Sequence, residues 1–503
     1  MKVDMTNLPS QFTGIALKNP EKPSVFWGET TYSFGQAHGL AKRLAKRLRE
    51  EHGLQPGDRV GLWLKNCPEF IFSLFGILLA EGVVVSINSF LTLDEVGFIL
   101  GDCEAKVLIS EASMVEGTAK LRERLPQLDV IEVESLGQAE PEVPNDYFAL
   151  GQAPEDLALI IYTSGTTGKP KGAMLSHQNL MCNVAAVMEA VDIRPDDRMA
   201  VLLPMFHSFT MTVGLLLPMT QGVSIIAIKS LHPPKNIIAE IMQHGATVMP
   251  AIPQLYRALV NVDLPADLPL RVCLSGAAPL PVEVLNAFRE RVGIPLLEGY
   301  GLSETSPVAC TNPLHGTQKA GSVGVPIRGV EFQIRNDAGE VLPVGEPGEI
   351  CIKGHNIMMG YWNNPEATEA SIKDGWLLTG DIGRLDEDGY IYITDRKKDM
   401  LLVNGINVYP REVEEVIYQF DGIKEAAVVG VSDPRKGEMV VACVAPVEGR
   451  ELDETALLAF LKTKLAAYKL PRKVMKMEAL PRNATGKILK TNLREIAAER
   501  LPH

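Results

Sequence analysis

The chain has 503 residues, 46% hydrophobic and 22% charged, enough for two to four domains with sizeable cores; this excludes a largely disordered protein. Its 49 Lys+Arg against 62 Asp+Glu give a net charge of −13, which argues against a general nucleic-acid binder. The charge is uneven: from Arg396 onward 19 basic and 15 acidic residues give +4, against −17 for the rest, and from Lys462 to the end there are 11 basic and 3 acidic residues. Such an end can meet a small polyanion, although a solvated, Lys-rich helical face accounts for the charge as well. Seven single cysteines without a CxxC spacing point away from a disulfide framework or zinc site and towards a reducing compartment. The first seven residues lack the apolar core of a signal peptide. The most apolar stretch, 70–80, is cut off by Glu81-Gly82, short of the roughly 20 residues of a membrane span. The expectation is a soluble cytoplasmic protein.

Along the chain, Ser33-Phe34-Gly35-Gln36 reads as a capping box, and Leu40, Ala41, Leu44 and Leu48 recur at helical spacing until Gly53. Residues 60–64 and 83–87 are short apolar runs of buried-strand type, with a compact apolar helix over 69–80 between them. This alternation predicts parallel α/β layers. Residues 157–162 form a strand running into a Gly/Thr loop, and 223–228 and 272–274 are further strands. After about residue 325 the pattern turns β-rich: 330–334 alternates, Asn336-Asp337-Ala338-Gly339 supplies a turn, and 390–393 is a strand ending at a charged connector, 394–399. Beyond it Pro410 opens a helix with Val413, Val416, Ile417 and Phe420 on one face, followed by strands at 426–431 and 440–444. This last stretch has its own core pattern, so a domain boundary falls at the connector.

The segment Tyr162-Thr163-Ser164-Gly165-Thr166-Thr167-Gly168-Lys169-Pro170-Lys171-Gly172 carries four hydroxyl residues of Ser/Thr type, three glycines and two lysines after a strand. Glycines let backbone N–H groups approach phosphate oxygens, hydroxyls donate, and lysines offset charge. It is not the GxxxxGK[ST] loop, because Thr163 stands where the first glycine belongs and Pro170 replaces the closing Ser/Thr. With Glu298-Gly299-Tyr300-Gly301-Leu302-Ser303-Glu304-Thr305, Ser275-Gly276-Ala277-Ala278-Pro279-Leu280, Gly380-Asp381 and Pro481-Arg482-Asn483-Ala484-Thr485-Gly486-Lys487, the loop resembles the signature of the adenylate-forming superfamily: acyl- and aryl-CoA synthetases, adenylation domains and beetle luciferases. The resemblance covers essentially the whole chain. It implies an α/β fold with a large N-terminal domain of layered α/β subdomains plus a β-barrel-like part (1–395), a hinge (396–398) and a small mobile α+β C-terminal domain (399–503).

The resemblance also implies residue roles. Thr163, Ser164, Gly165, Thr166, Thr167 and Lys171 would hold the ATP phosphates. Ala277, Glu298, Gly299 and Ser303 would contact the nucleotide, Glu304 would bind Mg²⁺, and Asp381 with Arg396 would grip the ribose. A carboxylate suits that last task, since it accepts from both ribose hydroxyls at about 1.5–3 kcal/mol each. Lys487 matches the catalytic lysine. Attack of a carboxylate on an α-phosphate brings two anions together, and one positioned ammonium can supply about 3–4 kcal/mol. His207 would gate the acyl pocket, lined by Phe209, Val213, Gly214, Ala277, Ala278, Tyr300 and Gly301. Lys398 is the hinge match, and Lys398 with Gly405 would border the CoA thiol tunnel. Glu304, His207 and Thr163 join Lys487 as the catalytic set.

The pocket segments 209–215, 275–279 and 299–302 contain no charge, and an ammonium substrate would need a buried carboxylate partner. Amino-acid-activating relatives carry an Asp where His207 stands. The expectation is therefore an ATP-dependent fatty-acid–CoA ligase, with an aryl-CoA ligase of coumarate or benzoate type, or acyl transfer to a carrier protein, as alternatives. Partners are ATP, CoA and a small carboxylate, with no nucleic acid; peripheral membrane contact is compatible, and so is a monomer or homodimer. A luciferase-like oxygenase, a nucleotide-binding pseudoenzyme and a P-loop ATPase fit less well, since Lys487, Arg396, Asp381 and Glu304 are all present and the P-loop ending is not.

Overall fold

The computed structural model describes residues 7–136, 142–163, 170–231, 233–403, 406–433, 437–482 and 488–500. Helix starts follow their caps. Ser33 and Gln36 exchange both bonds of a capping box before the helix Phe34–Glu50, whose Ala37, Ala41, Leu44 and Leu48 are buried. Thr92 with Glu95 and Ser176 with Asn179 open two more helices in the same way. The helix Pro68–Leu79 is apolar on every side, and all of it but Glu69 is buried. It packs on Phe34–Glu50, and Phe75 meets Phe12 with ring centroids 4.3 Å apart.

Two large sheets form the body. One runs in the order Gly360–Tyr361, Lys171–Ser176, Leu157–Thr163, Val83–Ser86, Arg59–Leu62, Val107–Ser110, Asp129–Glu132. Its last five strands are parallel. Val83–Ser86 and Val107–Ser110 are buried along their whole length, as expected when both faces of a sheet are covered. The other, nine-stranded sheet has at its centre the parallel run Leu296–Gly301, Val272–Ser275, Val248–Ala251, Arg198–Val201, Ser224–Ala227. The loops carrying His207, Ala277 and Ser303 therefore leave one carboxyl edge, where open α/β sheets place their ligands.

A third, five-stranded antiparallel sheet contains Val330–Arg335, Gly348–Gly354, Trp376–Leu385 and Ile372–Lys373, with Ile391–Arg396 on the other edge of Trp376–Leu385. The strand anticipated over 390–393 begins one residue later and runs on to Arg396. Its polar end, Thr394 to Arg396, is held by pairing Asp395 with Ile382 and Arg396 with Asp381 rather than by apolar burial.

The C-terminal residues build a fourth sheet of Ile406–Val408, Leu401–Val403, Gly437–Pro446, Ile423–Asp433 and, parallel to Gly437–Pro446, Lys473–Lys476. Alternate residues of Ile423–Asp433 face two separate cores. Ala426 and Val428 pack with Val413, Ile417, Leu457 and Leu461 of two helices, whereas Ala427, Val429 and Val431 pack with Leu493 and Ala497 of Lys490–Arg500. The helix opened by Pro410 ends at Tyr418, and Phe420 lies just past it against the first of these cores. Among the described residues no helix is long and apolar enough to cross a membrane.

Candidate active site

The Gly/Thr loop joins two antiparallel strands, Leu157–Thr163 and Lys171–Ser176, in which Thr163 pairs with Lys171. The Thr163 hydroxyl donates to the Lys171 carbonyl at 3.5 Å, so both ends of the loop are set by the hairpin. Ser164, Gly165, Thr166 and Thr167 lie outside the described residues, as do Gly405 and Lys487. The Lys171 ammonium sits 5.3 Å from the centroid of the Tyr361 ring, and the Tyr361 hydroxyl donates to Glu304 Oε1 at 2.8 Å. Burial and the Glu304 carboxylate both push the Tyr361 phenol up, so it remains a donor.

Glu304 lies in a short 3₁₀ turn, Ser303–Thr305, between two strands of the nine-stranded sheet. Two buried amides hold that turn: Asn183 Nδ2 donates to the Val308 carbonyl at 2.6 Å and Asn356 Nδ2 to the Thr305 carbonyl at 2.9 Å. The Met358 N–H donates to the Glu304 carbonyl at 2.9 Å. Ser303 Oγ donates to Ser208 Oγ at 3.2 Å, which joins this turn to the residue after His207. The His207 Nδ1 accepts from the Phe209 N–H at 3.3 Å. Next comes a π-helix, Thr210–Leu216, buried throughout; the π form is uncommon and concentrates at functional sites.

The Phe209 ring lies against Gly276, where a Cβ would meet it at 3.2 Å. Ala277, at φ +65°, is exposed beside it, and Ala278 is half-buried. Val213 is buried in the main core, and Gly214 lets the π-helix press on Val201 of the neighbouring strand. At Gly301 a Cβ would fall 1.8 Å from the Pro307 carbonyl oxygen, so only glycine fits there.

Asp381, buried, is opposite Arg396 across two antiparallel strands. The Tyr300 hydroxyl donates to Asp381 Oδ2 at 2.6 Å, and Arg396 Nε stands 3.4 Å from Oδ1. Tyr300 thus links the glycine-rich strand Leu296–Gly301, with Gly299 one residue before it, to the Asp381 carboxylate.

Glu298 is fully buried, and its carboxylate faces the C-terminal part of the chain. Oε1 accepts from the Leu280 N–H at 3.0 Å and lies 3.8 Å from Arg411, while Oε2 has no partner among the described residues. Burial pushes this carboxyl up to about 7 against the opposing pull of Arg411 and the Leu280 N–H, with Glu415 adding to the rise. An orphaned, buried acceptor oxygen fits a donor such as an exocyclic amine. Arg411 also donates its backbone N–H to Asp395 at 2.8 Å, and Arg257 donates to the Lys424 carbonyl at 2.6 Å, so the C-terminal sheet is docked on the body.

At the connector, Lys397 bridges to Glu349 at 3.1 Å and to Asp337 at 2.7 Å on the body side. Asp399 pairs instead with Arg494 of the last helix. Exposed Lys398 lies between these two anchorages. Partial burial and the nearby Arg396 draw its ammonium down.

The structure therefore joins, through stated contacts, Lys171 to Glu304 by way of Tyr361, Ser303 to the His207 turn, and Tyr300 to Asp381 and Arg396. Tyr361, Asn183, Asn356 and Arg411 were not apparent from the sequence. Gly360-Tyr361 preceding Trp362 is the one local signal, and a two-residue strand is too short to carry periodicity.

The family model described as AMP-binding enzyme matches residues 12–362, and that described as AMP-binding enzyme C-terminal domain matches 412–487. A feruloyl-CoA synthase of Amycolatopsis sp is 36% identical over 487 residues, covering 95% of this chain and 96% of that protein. A long-chain-fatty-acid–CoA ligase of Bacillus subtilis is 36% identical over 538 residues, covering 98% and 95%. ATP-bound MatB from Rhodopseudomonas palustris superposes with a TM-score of 0.91 at 32% identity, covering 98% of this chain and all of that one. The apo form of the same protein gives 0.78, with 98% and 99% covered. An o-succinylbenzoate CoA synthetase of Bacillus subtilis, solved with ATP and magnesium ion, gives 0.87 at 29% identity, with 96% and 98% covered. The chain belongs to the AMP-binding enzymes of the adenylate-forming superfamily and is an AMP-forming acid–thiol ligase, with ATP and CoA as cosubstrates and acyl-CoA made in two steps.

Proposed function

We propose that this ligase activates medium- or long-chain fatty acids. The carboxylate attacks the ATP α-phosphate with release of pyrophosphate, and the CoA thiol then attacks the acyl-AMP with release of AMP. Support comes above all from the acyl-side wall: the whole of Thr210–Leu216 is buried and uncharged, which suits an alkyl chain and would strand a charged one. In this reading Thr163 to Thr167 and Lys171 hold phosphates, Ala277, Glu298, Gly299 and Ser303 face the nucleotide, and Asp381 with Arg396 holds the ribose. His207 heads the acyl pocket, with Phe209, Val213, Gly214, Ala278, Tyr300 and Gly301 along it, and Lys487 neutralises the reacting anions.

Glu304 fits a hard divalent cation, because its Oε1 is engaged by Tyr361 and its second oxygen remains to bind. Such an ion usually takes only one or two protein carboxylates beside phosphate oxygens. Magnesium held there would offset phosphate charge. The large domain would end at 395 and the small one begin at 399, turning about Lys398, with Gly405 beside the thiol path. The single, spaced cysteines support a cytoplasmic setting.

An aryl acid is the second reading. Thr210 and Ser275 bury hydroxyls that have no partner among the described residues, and a phenolic substrate could satisfy them. Acyl-CoA formation from palmitate, octanoate, ferulate and cinnamate, compared as kcat/KM, decides. Preference for either fatty acid by tenfold or more is expected; the reverse order would replace the fatty acid with an aryl substrate.

A further inference from the structure

Tyr361 reaches the site from an unexpected direction. It belongs to Gly360–Tyr361, which interrupts the antiparallel sheet between Gly348–Gly354 and Ile372–Lys373 yet pairs with Lys171–Ser176 of the other sheet, Tyr361 against Ala173. Its position is held on several sides. The Tyr361 N–H donates to Thr368 Oγ1 at 2.8 Å, and Thr368 in turn donates to the Asn364 carbonyl at 2.9 Å within the Asn364-capped helix Pro365–Ser371. On the other side the Trp362 N–H donates to the Gly172 carbonyl at 2.7 Å. A side chain fixed this firmly presents two functions at once: the ring face towards the Lys171 ammonium at 5.3 Å, and the hydroxyl to Glu304 Oε1 at 2.8 Å.

We propose that Tyr361 is a positioning residue for adenylation: its hydroxyl holds one oxygen of Glu304 so that the other faces a divalent cation, while its ring seats the Lys171 ammonium beside the phosphates. The inference rests on the reading of Glu304 as the cation carboxylate. A carboxylate with one oxygen engaged by a fixed donor loses rotational freedom before the cation arrives, and removing such a supporting hydrogen bond typically costs 10–100-fold in metal affinity. The ring contact is a cation–π interaction, which holds the ammonium without neutralising it. Tyr361 therefore couples the two positive charges that must converge on one triphosphate.

The test uses the full-length chain. Tyr361→Phe keeps the ring and removes only the hydroxyl. Calorimetric binding of ATP with and without Mg²⁺ is measured alongside the Mg²⁺ dependence of ATP–pyrophosphate exchange and the thermal midpoint. About tenfold weaker binding of Mg²⁺-ATP is expected, with ATP alone unchanged, and a half-saturating Mg²⁺ concentration raised about as much. Equal weakening of both forms, or no change in either, overturns the proposal. Thr368→Val, which removes the acceptor for the Tyr361 N–H, is expected to shift the Mg²⁺ requirement the same way and serves if the first variant does not fold. Glu304→Gln separates the two levels: if it leaves the Mg²⁺ dependence at the wild-type value, the reading of Glu304 itself falls. If it abolishes that dependence while the Tyr361 and Thr368 variants do not move it, only the role of Tyr361 falls.

Discussion

Asp381 and Arg396 face each other across antiparallel strands, and the Asp381 carboxylate is shared: one oxygen takes the Tyr300 hydroxyl at 2.6 Å, and the other lies 3.4 Å from Arg396 Nε. The glycine-rich strand that carries Tyr300 thereby fixes the orientation of the carboxylate proposed to hold the ribose.

Asp381→Ala should raise the KM for ATP in pyrophosphate exchange roughly 10²–10⁴-fold, from two lost charged hydrogen bonds of about 1.5–3 kcal/mol each. Tyr300→Phe removes the orienting bond alone and should cost about tenfold. A threefold or smaller change for Asp381→Ala would contradict the ribose assignment.

Lys398→Pro fixes φ between the Lys397 and Asp399 anchorages. Pyrophosphate exchange should stay within about threefold of wild type while transfer to CoA slows by about tenfold or more. Lys487→Ala should divide the reaction the other way, lowering exchange by about 10²–10³ while CoA still consumes pre-formed acyl-AMP. Equal losses in both steps from Lys398→Pro would remove the hinge from this position.

Three buried groups set opposing pH dependences. Burial pushes His38 and His177 down to about 4, with Lys42 adding to the effect at His38, whereas nearby Asp156 pulls His177 slightly the other way. The unfolded imidazoles take up protons near 6.5 that the folded ones refuse, so each costs up to about 3 kcal/mol as pH falls from 6.5 to 4. Glu298 acts in reverse. It holds its proton up to about 7 when folded, so its contribution falls by about 3 kcal/mol as pH rises from 4.5 to 7. Burial also raises the Asp395 and Glu415 carboxyls, which act in the same sense as Glu298, so the histidine share is read by comparison: the midpoint of His38→Gln should fall less than that of wild type between pH 6.5 and 5. Glu298→Gln should raise the midpoint at pH 8 and leave it unchanged at pH 4. Both imidazoles support the first helix, His38 Nε2 against Thr13 Oγ1 at 3.1 Å and His177 Nδ1 accepting from the Leu8 N–H at 3.3 Å. Acid should therefore release Leu8–Lys18 first, seen as early loss of amide protection there.

The layers were legible because their strands are short apolar runs and several of their helices begin at side-chain caps, both local signals. The Ser33 box and the wholly buried Val83–Ser86 fell where the pattern put them. Legibility ended where polar groups depend on distant partners. Ile391–Arg396 outlasts its apolar residues because Asp381 waits opposite Arg396. The resemblance marked Glu298 as a nucleotide contact, but nothing local showed that its surroundings are completed by Arg411 from the far side of the connector. Asn183 and Asn356 carry no spacing that would mark them, since each acts through a carbonyl brought near only by the folded sheet.

The proposed pivot, Lys398, lies beyond both side chains proposed to grip the sugar: Arg396 stays with Asp381, and Lys397 is tied back to Glu349. With the pivot proposed there, the tail of the molecule would revolve like a turnstile while its reactive cargo stayed in the stationary half. On that proposal a hydrolysis-prone mixed anhydride would be handed from one chemistry to the next without being set free, and the enzyme would have no need to recapture its own intermediate.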